Sequence, residues 1–254
     1  MKVKETAKII ESKNLAQGVY SLKIKTTAAK DAIPGQFINI FSKDGSKLLP
    51  RPISICEIDK EASTLRVVFR VVGAGTNEFS KLVSGDEVEV MGPLGNGFPL
   101  EGEKSIVVGG GIGVPPMLEL AKQLPGSVTA VMGYRNDDMF LTEEFTDVAA
   151  ELIIATDDGS VGVHGTVVDA MNENNLQADV IYACGPKPML RGVAAYAKEH
   201  GIKCYVSMEE RMACGVGACL GCVCKSTEVD DHSHVHNKRV CKDGPVFLAT
   251  EVEL

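Results

Sequence analysis

Lys104-Ser105-Ile106-Val107-Val108-Gly109-Gly110-Gly111-Ile112-Gly113-Val114-Pro115-Pro116-Met117 decides how this chain is read. It opens as a short apolar strand, breaks into a glycine-rich turn, and resumes as a helix expected over 115–123. A helix that begins directly after such a turn offers unpaired N–H groups and the positive end of its dipole, a seat suited to a pyrophosphate. The spacing is not the G-x-G-x-x-G fingerprint of dinucleotide-binding dehydrogenases. Taken alone, the glycines are read equally well as a plain tight turn.

Downstream, short apolar strands are expected at 128–132, 151–155 and 179–183, separated by helix-length segments such as 166–174 and 189–199. Strands alternating with helices imply a parallel sheet covered on both faces. Cys184-Gly185-Pro186 follows one strand end and Thr156-Asp157-Asp158-Gly159-Ser160 another, at the edge where such sheets bind ligands. Their plainer readings are a Gly-Pro turn beside a buried cysteine and, for Asp157, a solvated loop.

Upstream, residues 19–25 alternate apolar and polar, and 36–41 and 65–72 are further extended runs. Pro34-Gly35, Lys43-Asp44-Gly45, Gly73-Ala74-Gly75 and Gly85-Asp86 read as turns between them. Many short strands at this spacing imply a small antiparallel barrel. Arg51-Pro52-Ile53-Ser54 sets one cation and one hydroxyl on an apolar stretch. An arginine fork suits a phosphate, although a surface arginine is the commoner case.

After residue 207 the chain becomes rich in cysteine and glycine. Cys214, Cys219 and Cys222 have the spacing C-x4-C-x2-C, with Cys241 further on. This is the plant-type [2Fe–2S] arrangement. Gly215, Gly217 and Gly221 let a tight loop fold around a cluster. Structural zinc is the rival, with Cys219 and Cys222 as one ligand pair and His232, His234 and His236 invoked for the rest. Those histidines alternate along a polar stretch, which favours a solvated loop. Cys224 reads as a small buried side chain, not a ligand.

The formal net charge of −8 argues against nucleic acid as a partner. No apolar run is long enough to span a membrane, and residues 1–6 lack the apolar core of a secretory signal. Five of the eight cysteines crowd into 214–241. Without an export signal this points to metal or redox chemistry in the cytoplasm, not to disulfides.

In chain order, Pro34-Gly35-Gln36-Phe37, Arg51-Pro52-Ile53-Ser54, Gly75-Thr76, the glycine run, Cys184-Gly185-Pro186 and the cysteine segment resemble the ferredoxin–NADP reductase superfamily. Within it they look like the electron-transfer subunits of NAD-dependent (class 1B) dihydroorotate dehydrogenases, most specifically over residues 209–219. The resemblance implies an FAD-binding β-barrel domain (1–101), an NAD-binding α/β domain (102–206) and a [2Fe–2S] domain (207–254). It implies that Arg51 faces the FAD pyrophosphate and Ser54 the flavin, with Pro52 and Ile53 between them. Val68, Phe69 and Arg70 and the Gly75-Thr76 turn complete that pocket. Gly109, Gly110, Gly111, Ile112 and Gly113 would bracket NAD(H) together with Cys184, Gly185 and Pro186; apart from the resemblance, the acidic and hydroxyl groups around Asp157 could meet a ribose of that nucleotide. Cys214, Cys219, Cys222 and Cys241 are the implied cluster ligands.

The partner so implied is an FMN-containing catalytic dihydroorotate dehydrogenase subunit of pyrimidine biosynthesis, in a heterotetramer with two of each subunit. Electrons would run from dihydroorotate through FMN, cluster and FAD to NAD+. Similar subunits serve NAD(P)H-dependent ferredoxin reductases, sulfide dehydrogenases and hydrogenases. A zinc-stabilised nucleotide-binding module without redox activity is the rival of a different class. No arginine pair follows the second nucleotide strand, and Arg135 alone lies nearby, which favours NAD over NADP.

Overall fold

The computed structural model of the chain describes residues 2–229 and 235–254. Strands β1 (Val3–Ala16), β2 (Val19–Lys25), β3 (Phe37–Ile40), β4 (Arg51–Asp59), β5 (Thr64–Arg70) and β6 (Glu87–Leu94) close into a barrel of order β1-β2-β5-β4-β3-β6. Every pairing in it is antiparallel. Ile9, Leu22, Ile24, Ile38, Ile40, Ile55, Leu65, Val67 and Val90 fill its interior and are fully buried. Each such side chain contributes about 1.5–3 kcal/mol by leaving water, most of it offset by chain entropy. Strand β1 was not legible as a strand. Its pairing with β2 shifts register between Ile9 and Glu11 and again between Asn14 and Ala16, so its apolar positions keep no steady period of two.

Gly73-Ala74-Gly75, expected as a turn, instead opens the short helix α1 (Ala74–Phe79). Thr76 makes this possible. Its Oγ1 accepts the N–H groups of Val72 and Gly73 at 3.0 and 3.2 Å and donates to the Gly73 carbonyl at 3.1 Å. The N-cap donor at the helix start and the N–H before it are thereby satisfied.

Beyond the barrel come β7 (Lys104–Gly110), α2 (Val114–Gln123), β8 (Ser127–Tyr134), α3 (Thr142–Val148), β9 (Glu151–Thr156), β10 (Val163–His164), α4 (Val167–Glu173), β11 (Val180–Cys184), α5 (Lys187–His200) and β12 (Lys203–Ser207). The cysteine segment adds the hairpin-like pair β13 (Val223–Lys225) and β14 (Asn237–Arg239), then β15 (Val246–Leu248). The sheet order is β10-β9-β8-β7-β11-β12-β15, parallel throughout except for β15, which runs antiparallel to β12. From β7 the chain moves outward through β8 and β9, then returns to β11 on the other side. This reversal opens a crevice between the loops that follow β7 and β11.

One sheet face packs Val107, Ala130 and Met132 against Met117, Leu118 and Phe145 of α2 and α3. The other packs Ile106, Val131 and Ile181 against Met171, Leu190 and Val193 of α4 and α5. Cys222, Cys224, Val240, Cys241, Phe247 and Val252 belong to this second core. The cysteine segment is therefore docked on the sheet and not held on a flexible tether.

Polar contacts also join α2 and α3 to the barrel. The Ile58 N–H donates to Glu119 Oε2 at 2.7 Å, Arg66 pairs with Glu57 at 2.7 Å and reaches Glu144 at 3.4 Å, and Lys122 also pairs with Glu57. Among the described residues no helix is long and apolar enough to cross a membrane.

Candidate functional site

A cavity of about 460 Å3 opens on the barrel wall. Neighbouring strands β4 and β5 supply Arg51, Pro52, Ile53, Ser54, Val68, Phe69 and Arg70, and α1 supplies Gly75 and Thr76. Phe37 of β3 joins them. Across the cavity stand Ile112, Ser207, Met208, Glu209, Glu210, Met212 and Pro245. A Cβ on Gly75 would collide with the Arg51 guanidinium, so the bare Cα is what lets α1 close over that side chain. Arg51 also donates to the Leu49 carbonyl.

Arg51 and Arg70 have no carboxylate partner among the described residues and border a cavity with apolar walls. Two unpaired cations suit a pyrophosphate, and the apolar walls suit a flat ring system, so the donor set fits FAD. Of the cavity's acids, Glu210 is neutralised by Lys187 at the start of α5. Glu209 is an exposed residue, but protein packed around its carboxyl desolvates it and pushes its pKa above the ordinary glutamate value.

At the strand-order reversal Gly109 sits in register with Cys184 across β7 and β11. A Cβ on Gly113 would strike the Cys184 carbonyl, one on Gly110 the Met189 sulfur, and one on Gly185 the end of Met189 at 2.6 Å. These glycines therefore let two loops and a helix start pack on one another. Gly111 is different: its φ is +54° and nothing lies within 4 Å of where its Cβ would be. It is the position in the run where backbone lies open for a phosphate to approach.

Ile112 reaches the barrel cavity, so the glycine loop and the cavity are contiguous. Pro186 caps the start of α5. Burial, reinforced by the nearby Glu209 charge, holds the Cys184 thiol protonated well above its ordinary range. Asp157 lies on the same edge of the sheet, exposed, just past β9 with β8 between it and β7. It is not gathered with the glycine and Cys184 loops.

The four spaced cysteines share one feature. Cys214 Sγ accepts the N–H groups of Val216 and Ala218 at 3.4 and 3.3 Å, and Cys219 Sγ that of Gly221 at 3.4 Å. Cys222 Sγ accepts from the Cys241 N–H at 3.4 Å, and Cys241 Sγ from the Gly217 N–H at 3.1 Å. Converging N–H groups favour thiolates. At Cys214 burial opposes ionisation, but the N–H of Val216, then those of Cys219 and Ala218, outweigh it and bring the thiol down to about 6. Burial and the adjacent Cys222 push Cys241 up to about 12.

The thiols act on one another: Cys219 helps to lower Cys214, and Cys222 and Cys214 both help to raise Cys241. Four such thiol donors fit a two-iron cluster. Among the described residues no group of three or more His, Cys, Asp or Glu side chains is placed to hold a metal ion. Cys224 is buried and its thiol donates to the Lys238 carbonyl at 3.5 Å. His236 is exposed, and His232 and His234 lie outside the described residues.

Left-handed backbone in this loop falls at Gly215 (φ +70°), Leu220 (φ +56°) and Gly217 (φ +85°). Gly221, expected to share that role, instead brings its Cα close to Cys219, leaving 3.4 Å between a Cβ there and the sulfur.

Sequence reasoning missed Phe37, Met208, Met212 and Pro245 as cavity walls and Asn39 as a contact of the cysteine loop. Each is an ordinary core-type or strand residue locally. Only β3 pairing with β4, and residues 207–212 folding back on the barrel, brings them to the site.

Residues 209–253 match the family described as the iron–sulfur cluster binding domain of dihydroorotate dehydrogenase B. The chain is 42% identical to the dihydroorotate dehydrogenase B (NAD(+)) electron transfer subunit of Fusobacterium nucleatum, over 98% of each chain. It is 43% identical to the corresponding subunit of Listeria monocytogenes, over 97% of this chain and 98% of that one. Among solved structures, a chain of an NADH-dependent reduced ferredoxin–NADP oxidoreductase, studied for flavin-based electron bifurcation, superposes with TM-score 0.86 at 31% identity, covering 97% of this chain and 89% of that one. At 42–43% identity to these subunits over nearly its whole length, this chain belongs to the family of electron-transfer subunits of NAD+-dependent dihydroorotate dehydrogenase B.

Proposed function

We propose that this subunit holds FAD in the barrel cavity, NAD(H) at the crevice between the β7 and β11 loops, and a [2Fe–2S] cluster on Cys214, Cys219, Cys222 and Cys241. It would thereby couple dihydroorotate oxidation on a catalytic partner subunit to NAD+ reduction. The observation that carries this reading is contiguity. The cavity bordered by Arg51 and Arg70 is walled on its far side by Ile112 of the glycine loop and by Met212, two residues before Cys214.

Bound there, FAD would supply hydride exchange with nicotinamide and single-electron exchange with the cluster. The chain's own residues bind and orient. Arg51 and Arg70 neutralise phosphate charge, and Ser54 offers a hydroxyl to the ring system. Phe37, Ile53, Phe69 and Met208 keep water from the apolar wall. Gly111 leaves backbone open for the dinucleotide, and Asp157 stands ready for a ribose from two strands away. The N–H groups of residues 216, 217, 218, 221 and 241 stabilise thiolate charge at the cluster.

We also propose the division into 1–101, 102–206 and 207–254, an FMN-bearing partner in a complex with two of each subunit, and a cytoplasmic location. The relatives at 42–43% identity favour this partner over that of a ferredoxin–NADP oxidoreductase, whose related chain is 31% identical. Co-expression with a dihydroorotate dehydrogenase catalytic subunit tests the reading. The pair should co-purify and reduce NAD+ with dihydroorotate. A subunit that binds no such partner but reduces ferredoxin with NADPH would favour the other reading.

A further inference from the structure

Strand β3 is buried along its whole length, yet its two faces do different things. Ile38 and Ile40 fill the barrel, whereas Phe37 and Asn39 share the opposite face. In register, Phe37 lies opposite Ser54 and Asn39 opposite Pro52, both on the cavity strand β4. Phe37 lines the cavity. Asn39 turns to the cysteine loop, and its Nδ2 donates to the Cys214 carbonyl at 3.2 Å. Gly215, at φ +70°, lies so close that a Cβ there would collide with the Asn39 amide. The barrel and the first cluster cysteine therefore meet at this side chain.

Asn39 is 1% exposed, and its Oδ1 has no hydrogen-bond partner among the described residues. A buried amide satisfied on one side only is costly, and an apolar residue of the same shape would suit the barrel better. Fold stability therefore does not account for it. What it does supply is an N–H aimed at the carbonyl of the residue whose sulfur accepts from Val216 and Ala218.

We propose that Asn39 is a positioning residue for the iron–sulfur centre. Through the Cys214 carbonyl it fixes the cysteine loop on the barrel and sets the local potential that the centre experiences. The inference rests on the assignment of that centre to the four cysteines. Its physical content is simple. A donor to that carbonyl offsets negative charge beside a ligand, and a reduced cluster carries one more negative charge than an oxidised one. Removing the donor disfavours reduction.

The test uses full-length holoprotein carrying Asn39→Leu or Asn39→Asp. The cluster's midpoint potential and EPR spectrum are measured with iron content, FAD content and thermal midpoint on the same samples. The expected result is a potential shifted negative in Asn39→Leu and further negative in Asn39→Asp, with FAD content unchanged and the Asn39→Leu thermal midpoint not lowered. Loss of iron with FAD retained also supports the proposal, since the barrel is then intact and only the loop is released. Full iron with unchanged potential and EPR spectrum in both variants would overturn it. So would joint loss of FAD and iron, which would make Asn39 a barrel residue only. A wild-type chain without iron would overturn the underlying assignment as well, so the two failures are told apart.

Discussion

The backbone N–H of Gly217 donates to Cys241 Sγ at 3.1 Å, so the loop bearing the first three cysteines also holds the fourth. Loop and distant ligand form one preorganised site, and removing any one thiol should unload it. Cys241→Ser is expected to lose the cluster while keeping FAD. Electron delivery from a catalytic partner to NAD+ should fall at least about 100-fold, the upper end of what losing merely supporting contacts of a metal site costs. Reduction of the FAD by NADH should persist. Iron analysis with stopped-flow flavin bleaching checks both halves.

Arg51 stands at a cavity with no carboxylate partner among the described residues, and a Cβ on Gly75 would collide with its guanidinium. Charge-assisted hydrogen bonds contribute about 1.5–3 kcal/mol. Arg51→Leu should therefore weaken FAD retention by about 10–100-fold. Arg51→Lys should recover only part of this, because an ammonium cannot make the forked contact. Equilibrium dialysis of FAD against the three proteins gives the comparison.

Gly113 abuts the Cys184 carbonyl at a helical φ of −80°, so an added Cβ there is excluded by space and not by backbone conformation. Gly113→Ala should force the two loops apart. A cost of about 1–3 kcal/mol in stability is expected from overpacking. The NADH concentration needed for half-maximal flavin reduction should rise about 10–100-fold, the scale of a small misplacement at a reacting centre. Gly111→Ala, with open space but left-handed backbone, should cost stability with a smaller effect on loop contact.

Glu57 of β4 pairs with Arg66 of the neighbouring barrel strand β5 and, across to α2, with Lys122. Burial opposes its ionisation, but the hydrogen bonds from Arg66 and then Lys122 win and hold its pKa below the usual 4.5. A depressed carboxylate pKa contributes stability that is fully present above 4.5 and lost as the pH falls through the lower folded value. The thermal midpoint should thus hold from neutrality to about pH 5 and decline below it. Glu57→Gln should lower the neutral midpoint and flatten the acid decline. Thermal scans of both proteins across that range decide the matter.

Some of this was legible in the sequence and some was not, for physical reasons. The strands flanking the glycine run and the Cys214–Cys219–Cys222 spacing could be read because each depends on a local period or a local loop. Strand β1 could not, since two register shifts break its alternation. Gly75 and Thr76 were expected in a turn and stand in a helix, because the hydroxyl of Thr76 caps what a glycine pair would otherwise end. Phe37, Asn39 and Met212 depend on contacts between segments far apart in the chain. Asn39 and Cys214 are 175 residues apart, and nothing local in either marks the bond between them. Nor did the run of glycines reveal that Gly113 and Gly185 serve packing while Gly111 alone lies open.

The central claim is that one chain holds FAD and a [2Fe–2S] cluster in contiguous sites. An anaerobic visible absorption spectrum of the purified subunit, with iron, sulfide, zinc and extracted flavin assayed on the same sample, tests it most directly. Flavin bands on a broad cluster absorption, about two irons and one FAD per chain, and bleaching by NADH are the predicted result. A colourless chain that contains zinc and takes up no FAD on reconstitution would contradict it.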